Sequence, residues 1–196
     1  MITPAFVLAA LSLGLATVWA QPGTGATPSK PTASQRIALV TGSTDGLGRE
    51  VARRLAAEGA HVIIHGRNIE RGRAVVDEIT ASGKGSARFY RADFASLAEV
   101  RRLADEIVRD YGRLDLLVNN AGIIAQARQV SQDGHELTFA VNYLSGYLLT
   151  YRLLPLLEKG RSPRVVNVSS LAASPIDFAD VMLERGYSSN RAYGQS

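Results

Sequence analysis

Thr41-Gly42-Ser43-Thr44-Asp45-Gly46-Leu47-Gly48 separates a short apolar run from a helical pattern. Three glycines in a turn between a first strand and a first helix are typical of a site for a dinucleotide pyrophosphate. Gly42 permits the tight turn, Gly46 lets the backbone approach the pyrophosphate, and Gly48 lets the helix pack closely on the strand. The free N–H groups and positive dipole at the start of the helix would add to phosphate binding.

On both sides of this turn, short apolar runs alternate with helical stretches. The pattern predicts strands at 37–40, 61–64, 87–91, 114–118 and 165–168. It predicts helices at 47–57, 69–82, 97–111 and around 135–158, with Ser96 as the N-cap of the third helix. Such an alternation indicates βαβ units, so we expect an α/β fold with a Rossmann-type, doubly wound parallel sheet.

The amino-terminal region has a different composition. Residues 1–20 carry no charged side chain, and a helix from Ile2 to Ala20 would measure roughly 28 Å, close to the thickness of a bilayer core. We expect a membrane anchor here, with a cleaved signal peptide or a buried core helix as the alternatives. The first cations, Lys30 and Arg36, come after the segment and favour a cytoplasmic location for its C-terminal side. Residues 21–35 are rich in Pro, Gly, Ser and Thr and are predicted to be a flexible linker before the domain at 36–196.

Composition narrows the possible functions. A chain of 196 residues with 46% hydrophobic and 20% charged residues is sufficient for one globular domain. The absence of cysteine excludes disulfides, thiolate metal sites and a cysteine nucleophile. The formal net charge of +4 comes from basic residues scattered among acidic ones, so we expect a small anionic ligand and no nucleic-acid partner.

The end of the second predicted strand bears on the choice of cofactor. An acidic residue about 20 residues beyond the glycines usually holds the ribose hydroxyl of NAD. The sequence there is His65-Gly66-Arg67-Asn68, which contains no acid, and the planar guanidinium of Arg67 suits a ribose 2′-phosphate. The carboxylate of Asp45 would oppose that phosphate, and Arg67 could instead be a solvated surface residue. We expect NADP, with NAD as the alternative.

Four ordered motifs resemble those of the short-chain dehydrogenases/reductases. They are the glycine turn at 41–48, Asn119-Asn120-Ala121-Gly122, Val166-Asn167-Val168-Ser169-Ser170, and Tyr193-Gly194-Gln195-Ser196 at the start of a tyrosine–lysine motif. The resemblance extends from about Arg36 to the last residue. The insertion at 171–192 is similar to that of the retinol-dehydrogenase-like branch of the family.

This resemblance implies roles for individual residues. Tyr193 would be the catalytic acid/base, Ser170 would hydrogen-bond the substrate oxygen with Ser169 as the alternative, and Asn142 would hold a water on the proton relay. Tyr193 would also contact the cofactor. The other residues implied in cofactor binding are Thr41, Gly42, Ser43, Thr44, Asp45, Gly46, Leu47, Gly48, Arg67, Asp93 at the adenine, Phe94, Asn119, Ala121 and Gly122.

A lysine four positions after the tyrosine is also expected from the family. A phenol has a pKa of about 10, and a neighbouring cation would lower it toward neutrality. The chain stops at Ser196, one position before that lysine, and neither Lys84 nor Lys159 is placed to substitute for it. We therefore expect a fragment of a longer product in which the C-terminal part of the fold is missing.

These observations predict an oxidoreductase that interconverts an alcohol and a carbonyl on a small, lipophilic substrate. The alternative is a catalytically silent nucleotide-binding fragment, and a nucleotide-sugar epimerase or dehydratase is disfavoured by its different glycine spacing. The histidines share no metal-ligand spacing, so no metal is expected. Because reduced NADP is cytosolic, we expect an anchored domain that faces the cytosol, with export after signal cleavage as the alternative. A homo-oligomer is a further expectation.

Overall fold

The computed structural model describes residues 30–196. The strands are β1 (Ile37–Val40), β2 (His61–Gly66), β3 (Ser86–Arg91), β4 (Leu116–Asn119) and β5 (Arg164–Asn167). The helices are α1 (Gly46–Ala57), α2 (Ile69–Ser82), α3 (Leu97–Asp110), α4 (Leu137–Phe139), α5 (Ser145–Leu157) and α6 (Ser189–Gly194). A π-helical segment, Ala140–Leu144, joins α4 to α5. Each predicted strand and helix is present, and its ends lie close to the expected positions.

The strands form one parallel sheet in the order β3-β2-β1-β4-β5. The chain builds outward from β1 in one direction through β2 and β3, and then returns to the other side of β1 for β4 and β5. This reversal leaves a crevice outside the carboxyl ends of β1 and β4, where ligands bind in open α/β sheets. The predicted α/β fold with a Rossmann-type parallel sheet is confirmed.

Both faces of the sheet are covered by helices. Successive side chains of a strand point to opposite faces, and Leu39 lies in one buried cluster with Leu149 of α5. Val40 lies in the second cluster, with Ala52 of α1 and Ile79 of α2. The sheet therefore has a hydrophobic core on each side, which fixes its carboxyl edge as a rigid base for the loops after the strands.

A buried carboxylate fastens the opposite end of the sheet. Asp115, directly before β4, accepts hydrogen bonds from the backbone N–H groups of Ile37 at 2.8 Å and Arg161 at 2.6 Å. It also pairs with Arg113, whose second nitrogen donates to the carbonyl of Gln35 at 2.7 Å. The last residue of the predicted linker is thus bound to the domain.

The predicted anchor or signal segment, residues 1–20, lies outside the described residues, as do residues 21–29 of the predicted linker. From residue 30 onward, the chain forms no helix with the length and apolar character needed to cross a bilayer.

The segment between β5 and α6 is irregular but attached to the domain. Arg128 donates to the carbonyl of Leu183 at 2.9 Å, and the hydroxyl of Tyr187 donates to the carbonyl of Ala125 at 2.8 Å. Both contacts are with the loop after β4. The segment therefore holds α6 near the carboxyl edge of the sheet.

Candidate active site

The glycine turn connects the carboxyl end of β1 to α1. Gly42 has a φ of +62°, and a Cβ at this position would lie 2.9 Å from Ala121 Cα, so a larger residue does not fit. A Cβ on Gly48 would lie 2.4 Å from both the carbonyl oxygen of Gly42 and Nδ2 of Asn120. Beside Gly46 there is open space, because a Cβ there would meet no atom within 4 Å. An open turn at a helix N-terminus fits a diphosphate.

A groove with a volume of about 510 Å³ runs over this turn, which is within the usual range for small-molecule sites. It is formed by residues at and after the carboxyl ends of β1, β2, β3 and β4. Of the predicted cofactor-binding residues, it is lined by Gly42, Thr44, Asp45, Gly46, Leu47, Gly48, Arg67, Asp93, Phe94, Ala121 and Gly122. The structure therefore brings most of the predicted set together.

Two residues of the turn have a supporting position instead. Thr41 Oγ1 accepts hydrogen bonds from the backbone N–H groups of Asn120 at 2.9 Å and Ala121 at 3.0 Å. Ser43 Oγ accepts from the backbone N–H of His65 at 3.0 Å. Both side chains are buried and neither lines the groove, so they fasten the turn to the strands on either side of β1.

The two asparagines at the end of β4 differ in position. Asn119 was predicted to line the groove, but its Nδ2 donates to Thr150 Oγ1 at 3.0 Å and Asn167 Oδ1 at 2.8 Å, away from the groove. Asn120 lines the groove, and its Nδ2 donates to the carbonyl of Thr41 at 2.9 Å. Sequence reasoning missed Asn120. Its position directly after the strand, where ligand-binding loops begin, was the available signal.

His65 is a further lining residue that sequence reasoning did not assign to the site. Its ring is buried and stacked on Phe94, with ring centroids 4.2 Å apart. Nδ1 accepts from the N–H of Gly42 at 3.2 Å, so Nε2 carries the proton and donates to the carbonyl of Ala92 at 3.3 Å. Burial lowers the pKa of His65 to about 4. A neutral imidazole therefore joins the glycine turn to the end of β3.

Charged side chains surround the outer mouth of the groove. Arg67 is exposed, with one nitrogen 3.9 Å from a carboxylate oxygen of Asp93. Asp45 caps α1 by accepting the N–H of Gly46 at 2.8 Å, and its other oxygen pairs with Arg71 at 2.8 Å. The carboxylate that would oppose a phosphate thus has a cationic partner, which sequence reasoning missed because Arg71 belongs to a different helix.

A second cavity, of about 140 Å³, adjoins the groove. Asn120, Ala121 and Gly122 line both. The predicted catalytic residues Asn142, Ser170 and Tyr193 line this second cavity together with Ser169. Residues that are far apart in the sequence are therefore brought together next to the groove.

Asn142 lies in the π-helical segment, a feature that often marks functional sites within helices. Its Oδ1 accepts from the N–H of Ile123 at 2.8 Å, and its Nδ2 donates to the carbonyl of Ile123 at 3.1 Å and to Ser196 Oγ at 2.9 Å. Both amide hydrogens are used, and one lone pair of Oδ1 is left to accept from a water. The side chain joins the loop after β4 to the residues after Tyr193.

The second cavity is lined by several side-chain hydroxyl groups. No basic side chain lines it in the described part of the chain, residues 30–196. Tyr193 is half-buried on α6, and Ser170 is exposed, with its hydroxyl accepting from the N–H of Ala172 at 3.1 Å. A phenol can donate a proton, and a serine hydroxyl can stabilise a developing alkoxide. The cavity is thus equipped for chemistry at a carbonyl or alcohol oxygen.

Comparisons with known proteins agree with this geometry. The family model for short chain dehydrogenase matches residues 36–182. The polyprenol dehydrogenase of Mus musculus is 40% identical over an alignment of 202 positions that covers 97% of this chain and 60% of that protein. The retinol dehydrogenase 13 of Homo sapiens is 38% identical over 178 residues, covering 88% of this chain and 53% of that protein. The chain therefore spans between half and two thirds of the length of these relatives.

Solved structures give the same result. A metagenomic short-chain oxidoreductase in complex with NADP is 30% identical, with a TM-score of 0.65, covering 81% of this chain and 68% of that one. The RhlG/NADP active-site complex of Pseudomonas aeruginosa is 35% identical, with a TM-score of 0.63, covering 81% of this chain and 60% of that one. On this evidence the chain belongs to the short-chain dehydrogenase family, in the branch that includes the retinol dehydrogenases.

Proposed function

We propose that the protein is an NADP-dependent oxidoreductase that interconverts an alcohol and a carbonyl on a small, lipophilic substrate. The observation that carries this proposal is that the two cavities lie side by side. The groove over the glycine turn and the cavity beside Tyr193 share Asn120, Ala121 and Gly122 as lining residues. A cofactor in the first would therefore lie next to an oxygen atom bound in the second.

The residues of the groove have distinct roles in cofactor binding. The backbone of the turn at 41–48 and the first N–H groups of α1 hold the pyrophosphate, and Asp93 contacts the adenine. Arg67 faces the ribose 2′-phosphate, and the absence of an acid at the end of β2 favours NADP over NAD. The neighbouring structures solved with NADP support this choice. Bound cofactor would supply the hydride for reduction or accept it in oxidation.

The residues of the second cavity act on the substrate oxygen. Tyr193 donates a proton to the oxygen in reduction and removes it in oxidation. Ser170 donates a hydrogen bond to the same oxygen, with Ser169 as the alternative, and this bond strengthens as charge develops. Asn142 holds the proton-relay water through the free lone pair of Oδ1. General acid catalysis of this type contributes about 10²–10⁴ to the rate.

The lipophilic substrate class rests on two observations. The relatives are named for retinol and polyprenol, both of them lipid alcohols. The segment after β5, which contributes Ala173 to the lining of the second cavity, also exposes the large apolar side chains of Leu171, Ile176 and Phe178. We further propose that residues 1–20 anchor the domain on the cytosolic side of a membrane, and protease protection in sealed vesicles would test that orientation.

The test is NADPH consumption by the 196-residue chain with a panel of aldehydes and ketones that includes retinal. Turnover that disappears in Tyr193→Phe supports the proposal. A protein that fails to oxidise NADPH with any member of the panel contradicts it for this chain.

A second candidate function is nucleotide binding without catalysis. It is favoured because no basic side chain among residues 30–196 lines the cavity beside Tyr193, while a phenol needs a cation to lower its pKa. The discriminating experiment compares the 196-residue chain with a form extended to carry a lysine four positions after Tyr193. Turnover in the extended form alone, with equal NADPH binding in both, would establish the second candidate for the shorter chain.

A further inference from the structure

Asp45 introduces a negative charge where the proposed ligand is also negative. Its Oδ1 accepts the N–H of Gly46 at 2.8 Å, which fixes the carboxylate at the N-terminus of α1 and at the mouth of the groove. Asn caps helices as well as Asp does and carries no charge. Capping alone therefore does not require a carboxylate at this position, and an unpaired one would weaken binding of a phosphate.

Arg71 is placed against the preference of its own helix. It is the third residue of α2, and its backbone N–H donates to the capping side chain of Asn68 at 2.8 Å. Positive charge is disfavoured at a helix N-terminus, where the dipole is itself positive. A guanidinium nitrogen of Arg71 nevertheless lies 2.8 Å from Oδ2 of Asp45, which belongs to the glycine turn between β1 and α1. An exposed pair of this kind contributes little to stability, so stability does not account for it.

The pair lies at the junction of two open spaces. Outside the groove, a recess of about 260 Å³ between α1 and α2 is lined by Thr44, Asp45, Arg49 and Arg71. Thr44 and Asp45 also line the groove, so the two spaces meet at this pair. Arg49 is held by Glu78 at 2.8 Å, whereas the partner of Arg71 is a carboxylate that lines the groove.

We propose that Arg71 is a specificity-determining residue for the cofactor, because it neutralises Asp45 and so allows a ribose 2′-phosphate at the mouth of the groove. Arg67 contributes charge from the end of β2, and Arg71 removes the repulsion that Asp45 would otherwise exert. Loss of Arg71 leaves the carboxylate unpaired and shifts the preference from NADP to NAD. The inference rests on the proposed function, since it presupposes a dinucleotide in the groove.

The test is a double-mutant cycle in the full chain, with calorimetric titration of NADPH and NADH at low ionic strength. We expect Arg71→Gln to weaken NADPH binding about tenfold and NADH binding less than about threefold. Asp45→Asn keeps the cap and removes the opposing carboxylate, so we expect it to bind NADPH more tightly than the wild type does. In Asp45→Asn/Arg71→Gln, NADPH affinity returns to within about threefold of the wild type, because no carboxylate needs neutralising.

The matched control is Arg73→Gln, which removes the same charge from the same helix. Arg73 is exposed and lines neither the groove nor the recess, so its loss leaves the NADPH:NADH ratio unchanged. Equal weakening of both cofactors by Arg71→Gln overturns the inference, as does a double variant no better than Arg71→Gln. If the wild type binds NADPH and Arg71→Gln binds it equally well, this inference alone is wrong. If the wild type binds neither dinucleotide, the proposed function fails with it.

Discussion

At Gly48 a single methyl group is expected to disrupt the glycine turn. A Cβ there would lie 2.4 Å from the carbonyl oxygen of Gly42, which cannot move without displacing the turn. We predict that Gly48→Ala lowers the free energy of unfolding by about 1–3 kcal/mol, as overpacking usually does. NADPH affinity should fall at least about tenfold. Urea unfolding and calorimetric titration measure the two effects.

Gly112 provides the matched control for this substitution. A Cβ at Gly112 would meet no atom within 4 Å, so Gly112→Ala should change the stability by less than about 0.5 kcal/mol and leave NADPH binding unchanged. Equal effects of the two substitutions would show that close packing at Gly48 does not govern the turn.

A second prediction at the scale of single residues concerns proton transfer by the hydroxyl of Tyr193. If it transfers the proton, Tyr193→Phe reduces kcat by about 10²–10⁴ and leaves the Kd for NADPH within about threefold. Steady-state kinetics in any active form of the protein, with a cofactor titration, provides both numbers. Tyr151→Phe is the control, because Tyr151 is exposed on α5 and lines neither cavity. A Tyr193→Phe variant that retains more than a tenth of the activity would remove the phenol from the mechanism.

Some site residues could be predicted from motifs in the sequence, whereas others are identified only by their contacts in the folded structure. Tyr193 and Ser170 were predicted because each belongs to an ordered motif. His65 and Arg71 have partners that only the fold brings near: Nδ1 of His65 accepts from the N–H of Gly42, and Arg71 pairs with Asp45. No local pattern in the sequence indicates such pairs.

At the scale of elements, hydrophobic periodicity predicted the alternation of strands and helices and therefore the sheet. The main difference lies in the long helix predicted around 135–158, which contains the π-helical segment Ala140–Leu144. A single π-helical turn is too short for the apolar periodicity of a sequence to distinguish it from an α-helical turn. Asn142, an asparagine in the middle of a helical pattern, was the one hint of it.

The hydrogen bonds of Asp115, directly before β4, lead to a prediction at the scale of elements. Asp115 is fully buried and accepts from two backbone N–H groups and from Arg113, so Asp115→Ala leaves these donors without a partner. We predict a loss of about 3–5 kcal/mol in the free energy of unfolding, measured by urea denaturation. Asp105→Ala removes a carboxylate from an exposed pair with Arg152 and should cost less than about 1 kcal/mol. Similar losses in both variants would contradict the structural role of Asp115.

The stability of the whole domain should depend on pH through two buried histidines. Burial lowers the pKa of His61 to about 4, with a further contribution from the charge of Arg88, and burial lowers that of His65 to about 4. In the unfolded chain both are expected near about 6.5. Between these values the unfolded state binds more protons, so stability is full above about pH 6.5 and falls as the pH decreases toward about 4.

Each histidine contributes up to about 3 kcal/mol to this loss. Urea unfolding at intervals from pH 7 to pH 4.5 measures it, and His61→Asn should flatten the profile because it removes one of the two titrating groups. Tyr111 and Ser86 hydrogen-bond the His61 ring, so that variant will be less stable at neutral pH as well. A pH profile with the same slope in wild type and variant would contradict this account.

The central claim is that the groove over the glycine turn binds NADP beside the cavity of Tyr193. Calorimetric titration of the 196-residue chain with NADPH tests it most directly, because binding does not depend on catalysis. We predict saturable binding of one NADPH per chain that is tighter than binding of NADH, that is weakened at least about tenfold in Gly48→Ala and that is unchanged in Gly112→Ala. Absence of binding by the folded wild-type chain, or binding that Gly48→Ala leaves unchanged, would contradict it.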